Sequence, residues 1–192
     1  MVLIKIRNRS RYISIKMSLS LLLAFMLLLT FFAGDSFCAE KNIQWELTAG
    51  PGLNIDGIDT NQILIAPGLS LQSHKEWLRY RFEGALELID NEGQITAVAG
   101  VAPFLRFDLL NGKNKPFFEI GAGINVISRN HIGRKDTGGA FIFSVMGGVG
   151  YEFTLYERPV AVSCRFRHLS NACLYPHNES LNNVYLLFSI GL

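Results

Sequence analysis

The sequence predicts an all-β chain, an eight-stranded antiparallel transmembrane β-barrel with a polar, ion-paired lumen. Three observations carry that prediction. A leader of export type occupies the N-terminus, eight consecutive segments then alternate with a period of two, and the charges in those segments gather on one face while the other is oil.

The leader comes first. Lys5, Arg7, Arg9, Arg11 and Lys16 form a basic region, Leu19 to Ala33 is apolar, and the small residues Ser36, Cys38 and Ala39 follow. This is the order of a secretory signal peptide, and the apolar run is short for a spanning helix. Residues 1–39 are therefore read as a signal peptide and 40–192 as one barrel domain. An uncleaved membrane anchor is the alternative, and Met17 offers a later start. The formal charge of the whole chain is +2, and removing the basic leader turns it negative, so no nucleic-acid surface is indicated. Cys38, Cys164 and Cys173 make no disulfide framework and no metal spacing. No cofactor or metal is expected.

The eight segments then follow in order. In IQWELTAG, Ile43, Trp45 and Leu47 alternate with Gln44, Glu46 and Thr48. The second sets Ile63, Ile65, Leu69 and Leu71 on one face. In the third, Leu78, Tyr80, Phe82, Leu86 and Leu88 oppose Arg79, Arg81, Glu83 and Glu87. The fourth places Ile95, Val101, Leu105 and Phe107 against Thr96, Arg106 and Asp108. In the fifth, Phe118, Ile120, Ile124 and Val126 oppose Glu119, Gly121, Gly123 and Asn125. The sixth runs from Phe141 to Phe153 with Ser144, Gly148 and Glu152 on its polar side. The seventh has Val160, Val162, Cys164 and Phe166 opposite Ser163, Arg165 and Arg167, and the last has Val184, Leu186, Phe188, Ile190 and Leu192 opposite Tyr185, Ser189 and Gly191.

Alternation alone also suits a soluble sandwich or a lipocalin-like barrel. The charges decide between them. Five arginines and six acids share the minority face with Gly, Ser and Thr, balanced in sign, as a narrow polar lumen requires, so the apolar face is left for lipid. Eight strands make the smallest common barrel, its interior filled by side chains, and closure leaves no unpaired edge in hydrocarbon. The final apolar run resembles the assembly signal of outer-membrane proteins, although it ends in Leu192 and not Phe. The expected location is the outer membrane of a Gram-negative bacterium. Trp45, Trp77, Tyr151 and Tyr156 are candidates for interfacial girdles. Links after odd-numbered strands would face outward.

The segment RFRHLSNA, at the outer end of the seventh strand, puts His168 and Ser170 on the lipid-facing side with Phe166. Residues i and i+2 of a strand lie about 6.5 Å apart, a gap an imidazole can cross to a hydroxyl, as a nucleophile and its base require. Strand ends also carry His and Ser as ordinary interfacial groups, and that reading stays open for an isolated H-x-S. His131 and His177 read as scattered loop residues.

With its distance from the C-terminus, and with KPFFEIGAGI upstream, RFRHLSNA resembles the outer-membrane lipid A 3-O-deacylase (PagL) family. The resemblance covers essentially the whole chain after the leader. It implies a serine ester hydrolase that removes a 3-O-linked acyl chain from lipid A in the outer leaflet, with His168 as base, Ser170 as nucleophile and Asn171 helping to form the oxyanion hole. The family's acid, a Glu about twelve residues after the serine, is Asn182 here. Asn182 is taken as the residue that orients the imidazole, with Glu179 as the alternative. A register pairing Ser170 with Asn182 would set Asn182 diagonal to His168. Arg129, Arg134 and Lys135 are candidates for contacts with lipid A phosphates. The implied partners are lipopolysaccharide and the membrane, and a homodimer is an open alternative for the assembly. The rival readings are a non-catalytic structural or binding barrel, which the missing Glu favours, and an outer-membrane phospholipid acyl hydrolase.

Overall fold

A computed structural model describes residues 43–192, and the leader expected over residues 1–39 lies outside them. The described strands are β1 (Ile43–Asn54), β2 (Asn61–Gln72), β3 (Leu78–Asn91), β4 (Gln94–Asp108), β5 (Lys115–Ile127), β6 (His131–Ile132), β7 (Lys135–Asp136), β8 (Phe141–Leu155), β9 (Arg158–Ser170) and β10 (Leu181–Gly191). Eight close into a barrel in the order β1-β10-β9-β8-β5-β4-β3-β2, and β6 with β7 forms a small hairpin inside one loop. Barrel neighbours are antiparallel throughout. The closing seam pairs Glu46 with Gly191 and Asn54 with Asn183, so no edge is left open. The fold is the one the alternation predicts.

One end of the barrel carries the links 73–77, 109–114 and 156–157 together with both ends of the barrel sequence. The other carries 55–60, 92–93, 128–140 and 171–180. Short turns on one side and longer loops on the other set the membrane orientation, with the long loops outside. Two connections are two-residue turns. Glu92 and Gly93 have φ of 53° and 79°, and Tyr156 and Glu157 have 47° and 65°. Both turns therefore have left-handed central residues, whose twist matches that of the flanking strands.

Every charged residue expected in the lumen is buried there. At the short-turn end, Arg79, Arg106 and Lys115 share Asp108 and Glu152, with Arg79 2.9 Å from Glu152 and Lys115 2.8 Å from Asp108. In the middle, Arg81 contacts Glu46, Glu83 and Glu119 at 2.8, 2.9 and 2.5 Å, while Arg165 reaches Glu83 and Glu119 at 2.7 Å each. Nearer the outer end Arg167 pairs with Glu87 at 2.5 Å, and Tyr185 donates to the same carboxylate. These layers hold six cations against six anions, so the low-dielectric interior is left with no net charge. Lys115 is the one member the alternating pattern did not single out. Small residues make the room: a Cβ at Gly121 would lie 2.4 Å from the Phe104 ring, and the Arg165 guanidinium lies over that ring at 4.5 Å.

Above the ions the interior turns apolar. Ile89, Val98, Ile127, Ile142, Leu169 and Leu181 from the strands join Ile58 and Ile132 from two outer loops in one buried cluster. This plug ties the loops 55–60 and 128–140 to the barrel mouth. On the outer wall Val149 is 63% exposed and Ile95 likewise, whereas Arg165 and Glu119 are at 1%. Trp45, Trp77, Tyr151 and Tyr156 are all exposed, and all four belong to the short-turn end. They form one girdle and not two.

Breaking a buried ion network by deleting one partner strands the others, at a cost of about 3–5 kcal/mol. Glu119→Ala removes the carboxylate shared by Arg81 and Arg165. It is expected to lower the urea midpoint of the barrel refolded in lipid vesicles. An unchanged midpoint would contradict this account of the lumen.

Candidate active site

Alternation along β9 sends Arg165, Arg167 and Leu169 inward, where they are buried, and leaves Phe166, His168 and Ser170 on the outer wall. Leu169, fully buried in the apolar plug, anchors the strand between the two polar residues. On β10, Leu181 and Asn183 are buried and Asn182 faces outward beside His168. Among the described residues no hydrogen bond joins Ser170 Oγ to the imidazole. The two share a face at the i, i+2 spacing, with Phe143 opposite Ser170 and Val145 opposite His168 on β8.

The β9–β10 register differs from the expected one. His168 pairs directly with Asn182, and Leu169 with Leu181. The expectation placed Ser170 opposite Asn182. The error is two residues, which preserves the face of every side chain but changes its partner. Directly opposed side chains stand closer than diagonal ones, and His168 Nδ1 lies 2.7 Å from Asn182 Oδ1.

Asn182 is itself held on every side. Its side-chain Nδ2 donates to Asp56 Oδ1 at 2.8 Å, and its backbone N–H donates to Asp56 Oδ2 at 2.8 Å. Its carbonyl accepts from Ile55 N at 2.9 Å and from Asn54 Nδ2 at 3.1 Å. Nothing in the sequence order singles out Asp56. Its position has a local cause: in NIDG, Asn54 Oδ1 accepts from the Asp56 N–H at 2.8 Å, and Gly57 takes φ of 77°, an Asx turn followed by a left-handed glycine. The tight turn was legible. Its delivery of a carboxylate to β10 depends on barrel closure bringing β1 beside β10. Partial burial works to raise the Asp56 pKa, but hydrogen bonds from Asn182 and the charge of Lys135 outweigh it and hold the carboxyl below its ordinary value.

The remaining expected residues divide. Glu179, the alternative acid, is not at the imidazole. Its Oε2 accepts from Asp136 N at 2.7 Å, and its own N–H donates to Asp136 O at 3.0 Å, so its loop does not fold back toward His168. The Asn171 side chain is fully buried and donates from Nδ2 to the carbonyls of Thr137 and His177 at 2.6 and 2.5 Å. It clamps two loops together and is turned away from the wall that carries Ser170. Its backbone N–H donates to Asn178 Oδ1 at 2.9 Å. Gly138 permits that loop contact, since a Cβ there would lie 2.0 Å from the His177 oxygen and φ is 80°. Directly after Asn171, Ala172 and Cys173 have φ of 51° and 65°, a left-handed pair that is uncommon outside functional or tightly braced sites. The three basic loop residues meet protein partners: Arg129 donates to Gln94 Oε1 at 2.5 Å, Arg134 to Asp56 O at 2.9 Å, and Lys135 Nζ lies 3.9 Å from Asp56 Oδ2.

A histidine, a serine and an amide, residue types that acyl transfer uses, share the outer wall of this small barrel. The sequence profile of a family described as lipid A 3-O-deacylase (PagL) matches residues 61–190. The chain belongs to the PagL family. It is thus an outer-membrane ester hydrolase that removes the 3-O-linked acyl chain of lipid A. The crystal structure of the outer-membrane enzyme PagL is similar, with a TM-score of 0.60 at 22% identity over 75% of this chain and 97% of that one. Neisserial surface protein A (NspA) is similar at a TM-score of 0.51 and 11% identity, covering 78% of this chain and 94% of its own. Both likenesses concern the fold. Among curated proteins nothing matches this PagL-family chain.

A depressed carboxyl pKa adds stability that is complete above the unfolded-state value and is lost as pH falls through the folded-state value. Asp56 in the solubilised barrel is therefore expected to titrate, by carboxyl carbon NMR, below the ordinary aspartate value of about 3.9. An inflection at or above that value would mean that the Asn182 bonds do not outweigh burial.

Proposed function

We propose that deacylation follows a Ser-His route with Ser170 as nucleophile, His168 as general base and Asn182 as the group that orients the imidazole. The observation that carries this reading is the 2.7 Å contact between His168 Nδ1 and Asn182 Oδ1 on the lipid-facing wall beside Ser170. An amide oxygen accepting at Nδ1 leaves Nε2 free for the serine, as in Cys-His-Asn enzymes, although it lacks the full charge of a carboxylate.

Lipid A lies in the outer leaflet with its ester groups near the headgroup boundary, and Ser170 closes β9 at the long-loop end of the barrel, the end such an ester would meet. The acyl chain can rest along the apolar wall below the site, where Val145, Phe166 and Leu186 are exposed, so the lipid need not leave the bilayer. Ser170 Oγ attacks the ester carbonyl as His168 Nε2 takes its proton. The tetrahedral intermediate collapses, the proton passes to the departing 3-oxygen, and the deacylated lipid A leaves with a free hydroxyl. Water, deprotonated by His168, then hydrolyses the acyl-enzyme and releases the fatty acid. For the oxyanion we favour the backbone N–H of Asn171, which an ester oxygen would reach by displacing Asn178 Oδ1. Asn171's own carboxamide keeps the loop that presents this amide in place.

Ser170→Ala is expected to abolish release of the 3-hydroxy fatty acid, with a loss of at least about a thousandfold, while the barrel still migrates as a heat-modifiable band. Lipid A mass spectra from cells expressing each form provide the readout. Glu179→Gln should leave the rate within about twofold, in the range of substitutions away from a reacting group. Full activity in Ser170→Ala would end the serine mechanism.

A further inference from the structure

Asp56 lies in a loop far from β9 in sequence, yet both of its carboxylate oxygens are spent on one residue, Asn182. We infer that Asp56 is a positioning residue that fixes the orientation of the Asn182 carboxamide and, through it, the tautomer of His168. The inference rests on the reading of His168 as the base.

The physical argument concerns donors and acceptors. An amide side chain can turn over, exchanging its oxygen and its NH2 group with little change in shape. An ionised carboxylate only accepts. With Asp56 Oδ1 2.8 Å from the outer atom of the Asn182 amide, that atom must be the donor nitrogen, because an oxygen there would set two acceptors against each other. The amide oxygen is then forced toward the imidazole, where it lies 2.7 Å from Nδ1. Nδ1 must carry the hydrogen, and the lone pair of the neutral ring falls on Nε2. In the reversed amide, NH2 would face Nδ1, the ring would be protonated at Nε2, and it could take no proton from Ser170. Asp56 thus selects the competent base tautomer.

The surroundings isolate this chain of contacts. The cross-strand neighbours of His168 and Ser170 on β8 are Val145 and Phe143, and Val184 follows Asn182 on the outer face of β10. None is titratable. Behind Asp56 stand Lys135, 3.9 Å from Oδ2, and Arg134, which donates to the Asp56 carbonyl. Arg134 thereby holds the loop, and the charge of Lys135 favours the ionised carboxylate. The arrangement also accounts for an amide at a position where the resemblance calls for a carboxylate. The negative charge is present, one hydrogen bond further from the ring.

Three variants test this in the full chain: Asp56→Ala, Asn182→Glu, and the two combined. Asp56→Ala is expected to lower kcat about 10–100-fold, the range found when the outer partner of a metal-bound histidine is lost, with KM nearly unchanged and a heat-modifiable barrel retained. Nitrogen-15 NMR of His168 should then change from the Nδ1–H form to a mixture of tautomers. A glutamate at 182 has no donor end to misplace, so the combined variant should recover most of the lost rate, whereas Asn182→Glu alone faces Asp56 at like charge and should stay impaired. If Asp56→Ala keeps full activity, or if it loses activity and the combined variant recovers none, Asp56 does not act through the amide and the inference is overturned. Ser170→Ala run in parallel separates the two ideas, because its full activity would remove the base itself and not merely its orientation.

Discussion

A closed sheet with a side-chain period of two offers only two destinations, the lumen and the wall, and everything else in this protein follows from how charge is divided between them. The ion-pair layers from Glu152 and Asp108 up to Glu87 make an uncharged whole of a very polar interior. Neutrality matters because a buried charge without a partner would bear its full desolvation cost. Arg165 and Arg167 are therefore committed inward, and their strand neighbours have no choice but to face out. His168 and Ser170 reach the lipid side because Arg165 and Arg167 before them, and Leu169 between them, are needed inside.

Polar side chains on a lipid-facing wall would be costly at mid-membrane. Here they sit at the rim, and their supports come from loops. The apolar plug of Ile58, Ile132, Leu169 and Leu181 converts the barrel mouth from charge to oil just beneath them. That plug holds the first and third outer loops down, and the same loops then supply Asp56 to Asn182 and the Thr137 carbonyl to Asn171. The site is thus built from two strands of the barrel and braced by segments that touch neither strand in sequence. Its rigidity is a property of the packed mouth.

The resemblance to the PagL family rested on a short motif and a distance from the C-terminus, and the match over residues 61–190 places the chain in that family. The departure at residue 182 looked like a loss. In the folded chain Asn182 still meets Nδ1, and a carboxylate stands directly behind it. On the proposed reading, the weaker orienting group at residue 182 is offset by a loop that sequence order gives no reason to consider.

From residues alone, the number of barrel strands, the face of each and every charged lumen residue but Lys115 were legible, because each depends on parity, and parity is a local property of the chain. Even the two-residue register error between β9 and β10 left every face correct. What parity could not supply was the partner. Whether His168 meets Asn182 head-on or diagonally depends on how the 171–180 loop spends its residues, including a left-handed pair at Ala172 and Cys173 and a clamp by Asn171. Glu179, near enough in sequence, is drawn off to Asp136, and Asp56, more than a hundred residues away, is brought in by the closing of β1 onto β10. Contacts between distant segments are decided when the barrel shuts and its loops pack, and only the tertiary structure records the result.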